Sequence, residues 1–354
     1  MALPYIAVHI QYQRIPTISY HRLQPGSLAE LPKTLLDVTR VTDANKQEYS
    51  KSNVASIRFH PNASVAIVGG LDKTLRLFSI DGKANAKIQS IFIRDMPILS
   101  CEFSTDGSQI FISGRRPFFY SYNILNGEVD KVHRLHGRTE KSLESMSLSP
   151  CGKLLVFLGN AGSILLVDTK TKRLVHTLKM NGTSRAVTFS PDGSTMYSFG
   201  SAGDIYVWDM KTLRCTHKFH DDGCISGVQV TVSPDGRYLA TGCQSGVINL
   251  YDVPSLTTTT KPKPLKTIMN ITTRADTLVF NHDSQILAVS TKHTKDTLKL
   301  IHVASMTVFS NWPTAATPLR YVQSVAFSPN SGYMAIGNDR GHVLLYRLNH
   351  YHSA

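Results

Sequence analysis

Seven times along its 354 residues the chain repeats an apolar residue followed by a polar turn of the Ser-Pro-Asp-Gly kind. The copies are Phe59-His60-Pro61-Asn62, Phe103-Ser104-Thr105-Asp106-Gly107, Leu148-Ser149-Pro150-Cys151-Gly152, Phe189-Ser190-Pro191-Asp192-Gly193, Val232-Ser233-Pro234-Asp235-Gly236, Phe280-Asn281-His282-Asp283 and Phe327-Ser328-Pro329-Asn330. Their lead residues are spaced by 44, 45, 41, 43, 48 and 47 positions. A second anchor holds the same register. Phe78, Tyr122, Val167, Trp208, Tyr251 and Tyr346 each follow their lead residue by 19 positions, and Ile301 follows by 21. Two anchors kept in step through seven copies describe one structural unit repeated.

Each unit reads as four strands. An alternating stretch such as Val54 to Phe59 precedes the turn, where Pro presets φ and Gly supplies a positive φ. A small-residue strand follows, such as Val65 to Gly70, and then a third strand ending on the second anchor, as in Asp204-Ile205-Tyr206-Val207-Trp208. A weaker fourth strand completes each of the first six units, as in Lys87 to Ile91. Four strands at this period define an all-β fold, a seven-bladed WD40 β-propeller over residues 31–351. The last unit lacks a fourth strand of its own. Lys33-Thr34-Leu35-Leu36-Asp37-Val38-Thr39 is expected to supply it, closing the ring and leaving no long open edge. Residues 1–30 then form an N-terminal extension whose order is left open.

Strong repeats of this class carry an Asp six residues before the second anchor. Only the first unit keeps it, as Asp72 before Phe78; Ala202, Ser245 and Arg340 stand at the equivalent places in other units. Loss of that Asp predicts blade cores held mainly by apolar packing.

Catalysis needs a nucleophile, a base and an orienting group at one place. The fourteen His are scattered, and no GxSxG, HExxH or GxxxxGK[ST] occurs. Cys151, His60 and His282 fall in turn slots, where structural roles are expected. The five Cys form no CxxC pair, and Cys215 and Cys224 have no matching His or Cys group, so neither a metal site nor a disulfide framework is expected. No cofactor, small-molecule substrate or membrane segment is expected either, since nothing runs apolar for a bilayer-spanning length. A binding scaffold is the expectation, with a hydrolase working in the propeller channel as a rival that would need His, Asp or Glu clustered there.

Charge points to the partner. The chain has 38 Lys plus Arg against 25 Asp plus Glu, a formal net charge of +13, which favours polyanionic or acidic partners. Connections from third to fourth strands share one face of a propeller. They contain Lys83, then Lys170, Lys172 and Arg173, then Lys211 and Arg214, then Lys261, Lys263 and Lys266. Singly, such lysines keep a propeller soluble. As a group they suit a phosphate backbone, because several cations release counterions together. The opposite face is mixed, with Arg115-Arg116 and Lys292 to Lys295 beside Asp221-Asp222 and Asp339.

Four segments are more specific than the repeat: KANAKIQSIFI at 83–93, KPKPLKTIMNI at 261–271, TVFSNWP at 307–313 and SGYMAIGNDRGHVLLYRLNHY at 331–351. With these the chain resembles the U3 small nucleolar RNA-associated protein 18 family over about residues 50–351. The resemblance implies a nucleolar, non-catalytic subunit of the small-subunit processome. It implies a place beside other propeller subunits of a UtpB-type subcomplex, with U3 snoRNA and pre-rRNA as partners during 18S rRNA maturation. It leaves open whether RNA contact is direct. The family's long charged N-terminal extension, which engages the exosome helicase, has no counterpart in residues 1–30, so that activity is not expected. A generic WD40 adaptor, such as a ubiquitin-ligase substrate receptor or a chromatin reader, is the alternative.

Overall fold

In the computed structural model, which describes residues 31–351 apart from Arg134 and Thr258, the strands pair into seven four-stranded antiparallel sheets. Six sheets are built from consecutive strands, as in blade 1 with Val54–Phe59, Val65–Gly70, Thr74–Ser79 and Lys87–Phe92. The seventh joins Val322–Phe327, Tyr333–Asn338 and Val343–Leu348 to Val38–Arg40. First strands of successive blades touch, except that Ser184–Phe189 of blade 4 meets the second strand of blade 3, Leu154–Leu158, and blade 7 touches blade 1, which closes the ring. The fold is the seven-bladed propeller that the period implies. The N-terminal extension, residues 1–30, lies outside the described residues.

The repeat's polar theme is a clamp. In blades 2 to 7 the side-chain oxygen of the Ser or Asn that opens the turn accepts the amide five residues on, at 2.8–3.0 Å. Two residues into the turn, the Asp of blades 2, 4, 5 and 6 in turn accepts from that Ser or Asn side chain. Blade 1 substitutes His60, whose Nδ1 accepts the Asn62 amide at 3.0 Å. Gly107 meets the neighbouring turn so closely that a Cβ would lie 2.0 Å from the His60 ring. Ser284 and Ser331 hold positive φ without being glycine, and their hydroxyls accept the Asp235 and His282 amides of the preceding blade. The turns thereby stitch blade to blade as well as strand to strand.

All seven second-anchor residues, from Phe78 to Tyr346, are buried on third strands. Among the described residues the apolar core falls into seven clusters, each between adjacent blades. Closure differs in detail from expectation. The closing strand is Val38–Arg40, paired Val38 to Leu348, Thr39 to Arg347 and Arg40 to Tyr346, and does not begin at residue 33. The cause is Asn311, whose side chain donates to the Leu36 carbonyl at 2.8 Å and accepts its amide at 3.1 Å. Leu36 is thereby fixed to blade 6 and buried there, leaving no free backbone for the ladder.

Candidate nucleic-acid interface

Antiparallel pairing sends the first-to-second and third-to-fourth connections out of one face and the remaining connections out of the other. Lys83, Lys170, Lys172, Arg173, Lys211, Arg214, Lys261, Lys263 and Lys266 therefore share a face. They are not evenly spread. Eight lie on the consecutive blades 3, 4 and 5, and Lys83 stands apart on blade 1. Only Lys172 is half-buried, ion-paired to Asp130 at 2.7 Å; among the described residues the other eight form no ion pair. The loop carrying Lys261 and Lys263 begins with a short helix, Val253–Leu256, and is longer than the corresponding connections of blades 3 and 4.

The same turns carry carboxylates. Asp81, Asp168 and Asp209 accept amides of the lysine-bearing connections, from Lys83 at 2.9 Å, Thr171 at 2.9 Å and Lys211 at 3.0 Å. Hydrogen bonds from these turns, led by the Asn85 amide at Asp81, the Thr171 hydroxyl at Asp168 and the Lys211 amide at Asp209, hold all three carboxyls below the usual range. The face therefore alternates in sign, and its positive excess sits on blades 3 to 5, where the long loop adds three cations.

The ring encloses a channel of about 620 Å³ lined by first-strand residues such as Ser56, Thr188, Gln229 and Gln323. Asp276 and Glu144 line it on one side, each ion-paired, to Arg274 at 2.8 Å and to Arg115 at 2.8 Å. His282 sits in a turn on the opposite face, and its Nδ1 lies 2.6 Å from Ser331 Oγ. Ser331 is fully buried and its hydroxyl accepts the His282 amide, so the pair acts as a turn clamp, while the His282 ring itself is exposed and lines the channel. Cys151 lies exposed in its turn, 3.3 Å from Ser149 Oγ. Burial opposes ionisation of its thiol, but the Ser149 hydroxyl and the Lys153 amide outweigh it and hold the thiol below its usual value.

Blade cores are mainly apolar, as expected, but some also carry a polar network. In blade 5 the carboxylate Oδ1 of Asp221 accepts from Thr241 Oγ1 at 3.0 Å, Asn249 Nδ2 at 3.0 Å and the Tyr251 hydroxyl at 2.7 Å. Its Oδ2 accepts from the Cys243 thiol at 3.2 Å. The neighbouring Cys224 thiol, burial and the Asp221 charge push the Cys243 thiol well above its usual range. Asp221, Cys224 and Cys243 bring one oxygen and two sulfurs within 4.8 Å, a ligand-like set. Closed metal sites use four donors, whereas here three groups meet and the carboxylate accepts four hydrogen bonds from the protein, so the group serves as the polar core of the blade. Blade 4 keeps a simpler version, with Trp208 Nε1 donating to Ser198 Oγ at 2.8 Å. In blade 1 Asp72 pairs at 2.7 Å with buried Arg76, which also reaches Glu48 at 2.9 Å. Sequence spacing missed the blade 5 network because its Asp comes from the inter-blade connection, not from the turn before the third strand.

Ring closure by Val38–Arg40, a repeating turn clamp and indole-to-serine bonding define a WD40-type propeller with a basic sector. The WD domain, G-beta repeat, matches residues 45–79, and the family described as Nucleolar protein 10-like, N-terminal domain, matches residues 99–346. A U3 small nucleolar RNA-associated protein 18 homolog of Arabidopsis thaliana is 46% identical over 319 residues, covering 90% of this chain and 58% of the relative. The homolog of Homo sapiens is 38% identical over 323 residues, covering 91% and 58%. The Saccharomyces cerevisiae protein of that name is 31% identical, covering 91% and 62%. The chain belongs to the Nucleolar protein 10-like propeller family and is a member of the U3 small nucleolar RNA-associated protein 18 group that its segments resemble. It spans about 58% of the length of the first relatives it matches.

Proposed function

We propose that this chain is a non-catalytic scaffold subunit of a U3-containing ribonucleoprotein acting in ribosome biogenesis. Identity to a relative named for U3 snoRNA association, at 46% across 90% of the chain, carries the reading. The net charge of +13 and the basic sector of blades 3 to 5 suit such a setting. In finer terms, the chain works in the nucleolus within a UtpB-type subcomplex of the small-subunit processome, beside other propeller subunits, with U3 snoRNA and pre-rRNA as partners in 18S rRNA maturation. Lys83 would be a peripheral contact and the other eight cations the main one.

The test is purification of the tagged chain with identification of RNA and protein. U3 snoRNA and processome subunits are expected; ligase or histone components without U3 RNA would favour the generic adaptor instead. For the basic sector, Lys170, Arg173, Lys211, Lys261 and Lys263 should be reversed to Glu together. Lys172 is spared because its reversal would face Asp130 with a second carboxylate. All five are exposed, so the fold should persist while U3 recovery falls. Unchanged recovery would sink the sector's role.

A further inference from the structure

On the face opposite the basic turns, half-exposed rings and unpaired cations follow one another along blades 7 and 1. We propose that this rim binds single-stranded RNA, its rings stacking on bases and its cations holding phosphates; the proposal rests on the ribonucleoprotein reading above. Tyr321, Tyr49 and Phe92 are 37%, 40% and 54% exposed, and each stands on a different connection or strand end. Tyr49 is backed by the His342 ring, with centroids 4.1 Å apart, which fixes it as a platform while leaving it open to solvent. Three aromatic rings exposed along one rim beside cations offer faces on which a flat ligand can stack.

Continuity along the rim is given by backbone contacts. The Asp339 amide donates to the Tyr321 carbonyl at 3.2 Å, the Ser50 amide to the Gly341 carbonyl at 3.1 Å, and the Leu71 amide to the Asn53 carbonyl at 3.1 Å. Lys73 Nζ then reaches the Arg94 carbonyl at 3.1 Å, beside Phe92.

Cations without a carboxylate partner make the rim positive. The carboxylates there are already taken: Asp72 by Arg76, Glu48 by Arg76 and Lys87, Asp43 beside Tyr49 by Arg40, Asp339 by Arg320, and Asp95 by Lys131. Asp296, at the blade 6 end, accepts the Arg320 amide. Among the described residues Lys51, Lys73, Arg94 and Arg340 have no carboxylate partner. An acidic protein segment would meet the same charge. However, the rings stand singly along the rim, as a strand of successive bases requires.

The experiment is fluorescence anisotropy of the purified chain with a labelled oligouridylate and, separately, an RNA duplex. One variant combines Tyr49→Ala with Tyr321→Ala, and another combines Lys51→Glu with Arg340→Glu. Each should weaken oligouridylate binding by about tenfold or more, since stacking contributes roughly 1–3 kcal/mol per base. The ring variant should leave duplex binding unchanged. Thermal melts check that both variants fold. Oligouridylate affinity equal to the parent's in the folded ring variant would overturn the proposal. So would displacement by polyglutamate as effective as by RNA, which would mark an acidic-protein site. This readout uses no U3 RNA, so it and the purification test fail independently.

Discussion

Replacing Asp221 by alanine would strand the Thr241, Asn249 and Tyr251 donors inside blade 5. Unsatisfied buried donors cost roughly 1–3 kcal/mol each, so Asp221→Ala should lose at least about 3 kcal/mol in urea unfolding. Asp221→Asn keeps an acceptor and should lose less; equal losses would contradict this account of the network. Thiol chemistry gives a second residue-scale prediction. Cys151 is exposed with a lowered pKa, whereas burial pushes the Cys101 thiol up to about 12. Iodoacetamide should label Cys151 first in the native protein and reach Cys101 and Cys243 only after unfolding, as peptide mapping would show. At this scale the sequence was partly legible. Cys151 is the turn residue it was expected to be. Asp221 was not legible as a core acceptor, because adjacent Asp221-Asp222 in an inter-blade connection reads as surface charge until the ring folds it against Tyr251.

The turn that made the period visible is also where acid should act. Ser104 and Ser108 hold the Asp106 carboxyl below its usual 3.8, and Ser190 and Ser194 do the same for Asp192. Carboxyls depressed in the folded state contribute stability above that value and lose it as pH falls through their folded pKa. His60 acts earlier. Burial holds its pKa below 6.5, against the Gly107 and Asp106 contacts, so the unfolded chain takes up the proton more readily. Stability should therefore decline in two stages on acidification, first below about pH 6.5 and again below about pH 3.8. His60→Gln should flatten only the first stage in a series of chemical denaturation curves. Elements were the most legible scale, since clamp and anchor are both local in sequence. The closing strand was the exception. Its start is set by Asn311, 275 residues from Leu36, and no local pattern encodes that contact.

For the molecule as a whole, the nine cations were legible as one face, but their crowding on blades 3 to 5 and the aspartates between them depend on the ring. The opposite rim was not legible, because Tyr49, Phe92 and Tyr321 come from separate connections and nothing in the sequence shows their carboxylate neighbours to be paired. Closure is testable at the same scale. A chain lacking residues 31–40 would leave Val343–Leu348 as an open edge and uncover Tyr346 and Leu348. It should melt at lower temperature and self-associate on size-exclusion chromatography, whereas monomeric behaviour with an unchanged melt would show the strand to be dispensable. The pairing of Val38–Arg40 with Tyr346–Leu348 also sets a timetable for synthesis. A ribosome delivers six self-contained sheets in order while the earliest strand stands without a mate. The ring locks only when Val343–Leu348 has left the exit tunnel, so the nascent propeller spends its making as an open arc.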